Sequence, residues 1–286
     1  MNDRLAALLR RFPLDAGPVR PLGLPQGFTS ATDVHAGRLH LLLRGAVQLD
    51  SPDDAPAPLA RQQWLQPVLL WLPGPVAHRL GAISDRGTTV LSAAVQVGDP
   101  ALNPLVGALP AVIAQPQRAL SRPLAATWAL ITSEFEAGAC AHAEVLQRLA
   151  DVLLRQLLRE QLDAARRGGG LLAALSDEAL RRTLDAMHDH PEQPWTLATL
   201  AAQAGLSRTA LAERFRAVVG TTPMDYLTDW RLRLARGRLG QGCTLAETAA
   251  AVGYSTPATL SRVFLQRLGH PPGHWQPRRS CSDTGS

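Results

Sequence analysis

Eleven arginines lie between Trp195 and Arg279, opposed by four acids (Glu213, Asp225, Asp229 and Glu247), a local excess of +7. The whole chain carries +5 and contains no lysine, so the rest of it is slightly acidic. The guanidinium is a planar fork of donors that matches phosphate and the acceptor edges of bases. The chemistry this segment offers is recognition of a polyanion. A second set is His35, His40 and His78, which could supply imidazoles to a metal or stand as hydrogen-bonded structural side chains. The three cysteines, Cys140, Cys243 and Cys281, are far apart and odd in number, with no CxxC. That argues against a disulfide framework and a thiolate zinc site. There is no GxSxG, no P-loop and no GxGxxG placed after a strand.

Elements must position these residues. At 286 residues, with 46% hydrophobic and 19% charged, the chain can bury two ordinary cores. No apolar run approaches the roughly 18–20 residues that cross a bilayer, so no membrane partner is expected. Met1–Arg11 reads as a short amphipathic helix rather than a signal peptide, because Asp3 precedes its apolar run and Arg10 and Arg11 follow it. A cytoplasmic protein is expected. Residues 17–118 are rich in Pro and Gly, and the runs 40–43, 68–72 and 89–97 read as short strands of a sandwich or barrel. From Pro123 apolar residues recur at helical spacing to Phe135. A second helix runs from about Ala141 to Arg166. Its face of Leu146, Leu149, Leu153 and Leu157 either dimerises or covers the sandwich. Gly168–Gly170 breaks it. A further helix with Ser176 as N-cap runs to about His188, and residues 190–194 read as a linker.

The basic segment is an internal repeat. Leu211, Phe215, Gly220, Pro223 and Tyr226 recur as Leu260, Phe264, Gly269, Pro272 and Trp275, at a constant offset of 49. Upstream the offset is 48, relating Thr196, Leu197, Ala201 and Gly205 to Thr244, Leu245, Ala249 and Gly253. In each copy a threonine caps a helix of small residues and a glycine follows its end. Ser207, or Ser255 or Thr256, then caps a second helix. Leu211 and Phe215, or Leu260 and Phe264, face inward one turn apart. Arg208, Thr209, Ala212, Glu213 and Arg216 lie off that face, as do Pro257, Ala258, Ser261 and Arg262. Small-residue helix, glycine turn and capped helix make a helix-turn-helix, whose second helix can enter a major groove. Between the copies, Pro223 starts a helix of about 15 residues, roughly 22 Å long, with Tyr226, Leu227, Trp230 and Leu234 as its core face.

The segment from about Ser176 to Gln276 resembles the AraC/XylS family DNA-binding domain, most specifically in A-E-T-A-A-A-V-G-Y-S-T-P-A-T-L-S-R-V-F-L-Q-R-L-G-H-P-P-G-H-W. The resemblance implies a transcription regulator with two helix-turn-helix units on one face of promoter DNA. Carried over by position, base contacts come from Thr209, Ala212 and Glu213 in the first unit, and from Pro257, Ala258, Ser261 and Arg262 in the second. Arg262 suits guanine O6/N7. Glu213 departs from the usual basic or amide residue, and either accepts from cytosine N4 or weakens its unit's grip. Arg208, Arg216 and Arg267 are the phosphate candidates.

The N-terminal half is similar to the cupin-type sensor of one branch of that family, on G-R-L-H-L-L-L-R-G (37–45) and W-L-P-G-P-V-A-H (71–78). Enzymatic cupins use two His, a Glu and a third His. This chain lacks a close H-x-H and has no Glu between Asp33 and Glu134. No cofactor is therefore expected. The expected fold is α+β: a cupin-like jelly roll with helices over 1–168, an all-α domain with two helix-turn-helix units over 176–277, and a tail over 278–286. The resemblance implies promoter DNA, RNA polymerase, a small-molecule effector for the N-terminal domain and a second copy of the chain as partners. The competing reading is a metal-dependent cupin dioxygenase or isomerase fused to a DNA-binding module.

Overall fold

The computed structural model describes residues 9, 12–24, 29–31, 36–52, 59–83, 87–99 and 103–272. The expectations for His35, Trp275, Cys281, most of the N-terminal helix and the tail lie outside the described residues. The chain divides into two compact units, Met1–Ala164 and Ala165–Ser286.

The first unit is a sandwich of two antiparallel sheets. Its strands are β1 (Asp15–Ala16), β2 (Arg20–Leu24), β3 (Thr29–Ala31), β4 (Gly37–Arg44), β5 (Val47–Asp50), β6 (Gln62–Trp64), β7 (Val68–Leu72), β8 (Arg79–Ala82), β9 (Thr88–Gln96) and β10 (Ile113–Pro116). One sheet runs β1-β9-β4-β7-β10, with β2 also paired to β9, and the other runs β3-β8-β5-β6. The three runs read as strands from sequence are the centre of the larger sheet. In β7, V-L-L-W-L, every residue is buried. Such a strand has both faces covered, which accounts for its unbroken apolar run. Leu42, Val47, Leu49, Val68, Leu70, Leu80, Ala82 and Val90 fill the space between the sheets.

The helices of this unit are α1 (Pro104–Ala108), α2 (Arg122–Ala137) and α3 (His142–Gly168). The leucine face of α3 covers the sandwich: Leu146, Leu153 and Leu157 are buried, and Leu149 is half-buried. Polar bonds hold α3 along the large sheet. Ala16 N donates to Asp151 Oδ1 at 2.7 Å, Gln147 Nε2 to Ala16 O at 3.0 Å, and Gln115 Nε2 to Glu160 Oε2 at 3.3 Å.

The second unit is helical: α4 (Leu171–Ser176), α5 (Glu178–Asp189), α6 (Leu197–Ala204), α7 (Arg208–Val219), α8 (Pro223–Gly240), α9 (Leu245–Ala251) and α10 (Pro257–Leu268). Ser176 is not the N-cap of α5. It ends α4 and its Oγ donates to Leu172 O at 3.1 Å. Asp177 caps α5 instead, its carboxylate accepting from the Ala179 and Leu180 amides, both at 3.1 Å. The Asp177 carboxylate also meets the positive end of the helix dipole. At 18 residues, about 27 Å, α8 is one turn longer than its periodicity suggests. Trp230 is buried and Tyr226 half-buried, and both rings contact His188 of α5.

Candidate nucleic-acid interface

The two copies of the repeat fold alike. Thr196 caps α6 through a reciprocal box with Thr199, and Thr244 caps α9 through the same box with Glu247. Gly205 follows α6 in the left-handed region (φ 67°), and Gly253 follows the end of α9 there too (φ 81°). The second helix of each unit is capped by Ser207, accepting from Ala210 N at 3.1 Å, and by Thr256, accepting from Thr259 N at 3.1 Å. Of the two sequence candidates in the second copy, Thr256 is therefore the cap. Leu211 and Phe215 are fully buried under α7, and Leu260 and Phe264 are buried under α10.

That burial turns the opposite faces of α7 and α10 outward. Arg208, Thr209, Glu213 and Arg216 are exposed, and Ala212 is half-buried. On α10, Pro257, Ala258 and Arg262 are exposed, and Ser261 is half-buried. Arg208, Arg216 and Arg262 make no side-chain hydrogen bond or ion pair among the described residues. Leu265, missed in the sequence, is 54% exposed on α10. The offset of 49 pairs it with Arg216, so the repeat itself could have found it.

Arg267 differs from the other phosphate candidates. Its guanidinium donates to the Asp225 carboxylate and lies 3.9 Å from Asp229. Thr222 Oγ1 also donates to Asp225, at 2.7 Å. These donors, Thr222 first and Arg267 second, hold the Asp225 carboxyl below its usual range, and the Asp225 bond raises Arg267. The arginine is thus paired with Asp225 at the surface, whereas Arg208, Arg216 and Arg262 carry no such pair among the described residues. Arg214 of α7 is engaged the same way, by Asp177 at the cap of α5.

His40 and His78 meet in the first unit, buried, with their Nε2 atoms 3.1 Å apart. His78 Nδ1 lies 2.7 Å from Val76 O, and a carbonyl only accepts, so Nδ1 carries the proton. His78 Nε2 then accepts from His40 Nε2–H, which leaves the lone pair on His40 Nδ1, and that buried atom has no partner among the described residues. Burial, then His78 and Arg38, push the His40 pKa down to about 3. Burial and Arg38 also lower His78, against a raising effect from the Val76 carbonyl. His40 and His78 thus spend their facing nitrogens on each other, beside a cation. No group of three or more His, Cys, Asp or Glu side chains suited to a metal occurs among the described residues. Cys140 is exposed and Cys243 half-buried, both as free thiols.

A family model described as a cupin matches residues 3–163, and one described as a helix-turn-helix domain matches residues 200–278. A protein of Streptomyces lividans described as an AraC-like transcription regulator is 40% identical over 52% of this chain and 50% of its own length. The chain belongs to the AraC/XylS family. Its cupin half and its helix-turn-helix half correspond to the two units of the fold. The RCS-specific HTH-type transcriptional activator RclR of Escherichia coli is 23% identical over 89% of this chain and 88% of its own length. Among solved structures, the DNA-binding domain of AdpA in complex with a target DNA is 29% identical over 35% of this chain and 89% of that chain, with a TM-score of 0.33. The chain spans about half the length of the first two curated relatives it matches, both from Streptomyces. No helix among the described residues is long and apolar enough to cross a membrane.

Proposed function

We propose that this AraC/XylS-family protein is a sequence-specific DNA-binding transcription regulator of the cytoplasm, and not an enzyme. The observation that carries the reading is the pair of capped helices α7 and α10, each with its apolar face buried and its opposite face open. Thr209, Ala212 and Glu213, and Pro257, Ala258, Ser261 and Arg262, are the base-reading candidates. Leu265 joins them as a contact for a thymine methyl. Arg208 and Arg216 are the phosphate candidates. Arg267 leaves that set because Asp225 holds it. The unlike residues of the two helices favour an asymmetric site of roughly 20 base pairs, two successive major-groove faces.

The cupin half is read as the effector domain. Arg38, His40 and Leu42 alternate along β4, and Leu42 belongs to the core between the sheets, so all three side chains point into the sandwich. Arg38 Nε and His40 Nδ1 are buried there without partners among the described residues, an arginine donor beside an imidazole acceptor. The neutral histidine pair and the Arg38 cation disfavour a bound divalent metal, which argues against the dioxygenase or isomerase reading. RNA polymerase and a second copy of the chain complete the proposed partners. Leu130, Val145 and Val152 are the exposed large apolar residues of α2 and α3, among the described residues, available to a second copy.

The test is a footprint of the purified chain on DNA upstream of its own gene and its neighbours, at about 150 mM salt. A bounded protected stretch is expected. Diffuse coating without a boundary at any position overturns the regulator reading. Metal analysis of the same preparation tests the enzyme reading.

A further inference from the structure

Each helix-turn-helix unit has a helix leading into it, α5 for the first and α8 for the second, and each lead helix sends an arginine toward a turn. In the first unit Arg182 of α5 donates to Ala204 O at 3.2 Å, one residue before Gly205. That bond stays within the unit. Arg231 of α8 behaves differently. Its Nε donates to Pro191 O at 2.7 Å and its Nη2 to Gln193 O at 2.6 Å. Those carbonyls belong to the segment that leads into the first unit. The guanidinium also lies 5.7 Å from the ring centroid of Tyr254, in the turn of the second unit. Three segments therefore meet at one side chain: the lead-in to the first unit, the helix between the units, and the turn of the second.

The packing there is close. A Cβ on Gly253 would stand 2.7 Å from Glu192 O, 2.8 Å from Pro191 O and 2.8 Å from Arg231 Nη2. A Cβ on Gly205, the matching position in the first unit, would meet nothing nearer than Arg182 Nη2 at 3.9 Å. The lead-in segment is itself folded: Gln193 N donates to His190 O at 3.2 Å, and Trp195 Nε1 to the same carbonyl at 2.7 Å. It offers Arg231 a shaped pair of acceptors, and charge-assisted bonds of a guanidinium to two carbonyls fix direction as well as distance.

We propose that Arg231 is a positioning residue that locks the second helix-turn-helix unit to the first, and so fixes the spacing of the two DNA segments this protein reads. The proposal rests on the DNA-binding reading above. Arg231 touches no base. It acts by restricting the rotation of one recognition helix relative to the other, so its loss changes which spacing is accepted. A general loss of fold would weaken binding at every spacing alike.

The experiment uses the full chain. Duplexes are selected from a random library of about 24 base pairs by the wild-type protein. One base pair, about 3.4 Å and a tenth of a turn, is then inserted or removed between the two enriched segments. The wild type is expected to lose about tenfold or more in affinity at either changed spacing. Arg231→Ala is expected to fall to about threefold or less between spacings while keeping its helical circular dichroism. Arg231→Lys keeps the charge and stem but reaches one carbonyl only, and serves as the readout if the alanine variant does not fold; it too is expected to relax the spacing dependence. A folded variant with the wild type's spacing dependence overturns the proposal. A wild-type protein that enriches no sequence overturns instead the DNA reading on which it rests.

Discussion

Arg267, on the second recognition helix, donates to the carboxylate of Asp225 in the first turn of α8. Arg214, on the first recognition helix, does the same to Asp177 at the cap of α5. Asp177 and Asp225 are 48 positions apart, the offset that relates the upstream parts of the two units. The two ties nonetheless do not occupy matching positions: Asp177 is the N-cap of α5 and Asp225 the third residue of α8, and Arg214 and Arg267 are 53 positions apart. Each unit is a lead helix, a small-residue helix and a recognition helix, with an ion pair tying the last to the first.

Asp225→Asn removes the second of these ties. The pair is largely exposed, so the discounted effect on stability is about 0.5 kcal/mol or less near neutral pH. Its pH dependence is the sharper readout. A carboxyl held below its usual value when folded contributes stability that is present above the unfolded value of 3.8 and is lost as pH falls through the folded value. Chemical denaturation of wild type and variant should differ at pH 7 and converge once the pH has fallen through the folded value, which lies below 3.8. A difference that persists undiminished in acid would show that Asp225 acts by something other than its charge.

Salt dependence sorts the arginines. Arg208→Ala and Arg216→Ala should weaken binding to all sequences alike and reduce the slope of log affinity against log salt by about one each. Arg262→Ala should cost about 1–3 kcal/mol on the selected site and relax specificity at one base pair. Arg267→Ala should leave the slope unchanged, since its charge is already met by Asp225. A slope reduced by a full unit in Arg267→Ala would restore it to the phosphate set.

Much of this was legible in the sequence because the repeat marks the buried positions. Leu211, Phe215, Leu260 and Phe264 had to face inward, so the outward set on α7 and α10 followed by helical geometry. The strand β7 was legible because a strand covered on both faces is apolar throughout. The roles of Arg214, Arg231 and Arg267 were not legible. Their partners lie 37 or more positions away, and charge counting treats an arginine held by an acid or a carbonyl like one facing solvent. Ser176 was misread for a local reason: Ser and Asp both cap helices, and only the break between α4 and α5 decides which one does.

Gly205 and Gly253 separate backbone strain from steric contact. Both take positive φ, so alanine at either should cost about 1–2 kcal/mol from the left-handed backbone alone. Gly253→Ala should cost clearly more, because its Cβ falls on main-chain carbonyls of the lead-in segment while that of Gly205 falls in open space. Equal losses in melting experiments would mean that the junction at Gly253 yields readily.

The histidine pair predicts how the cupin half responds to mild acid. The folded chain keeps His40 neutral down to about pH 3, whereas the unfolded chain protonates it near 6.5. Below that value the unfolded state binds more protons, so stability falls as pH falls, and it is fully present only above about 6.5. His78 is lowered too and adds a contribution of the same sign. Between about pH 7.5 and 5.5, His40 alone should cost the cupin half on the order of 1 kcal/mol. His40→Leu should remove His40's share of that slope and leave that of His78, although it also removes the donor to His78 Nε2 and so lowers stability at every pH. The two effects separate because one is a slope and the other an offset. Denaturant midpoints of wild type and variant at both pH values measure them, and a wild-type cupin half equally stable at the two would mean that His40 takes up its proton in the folded state.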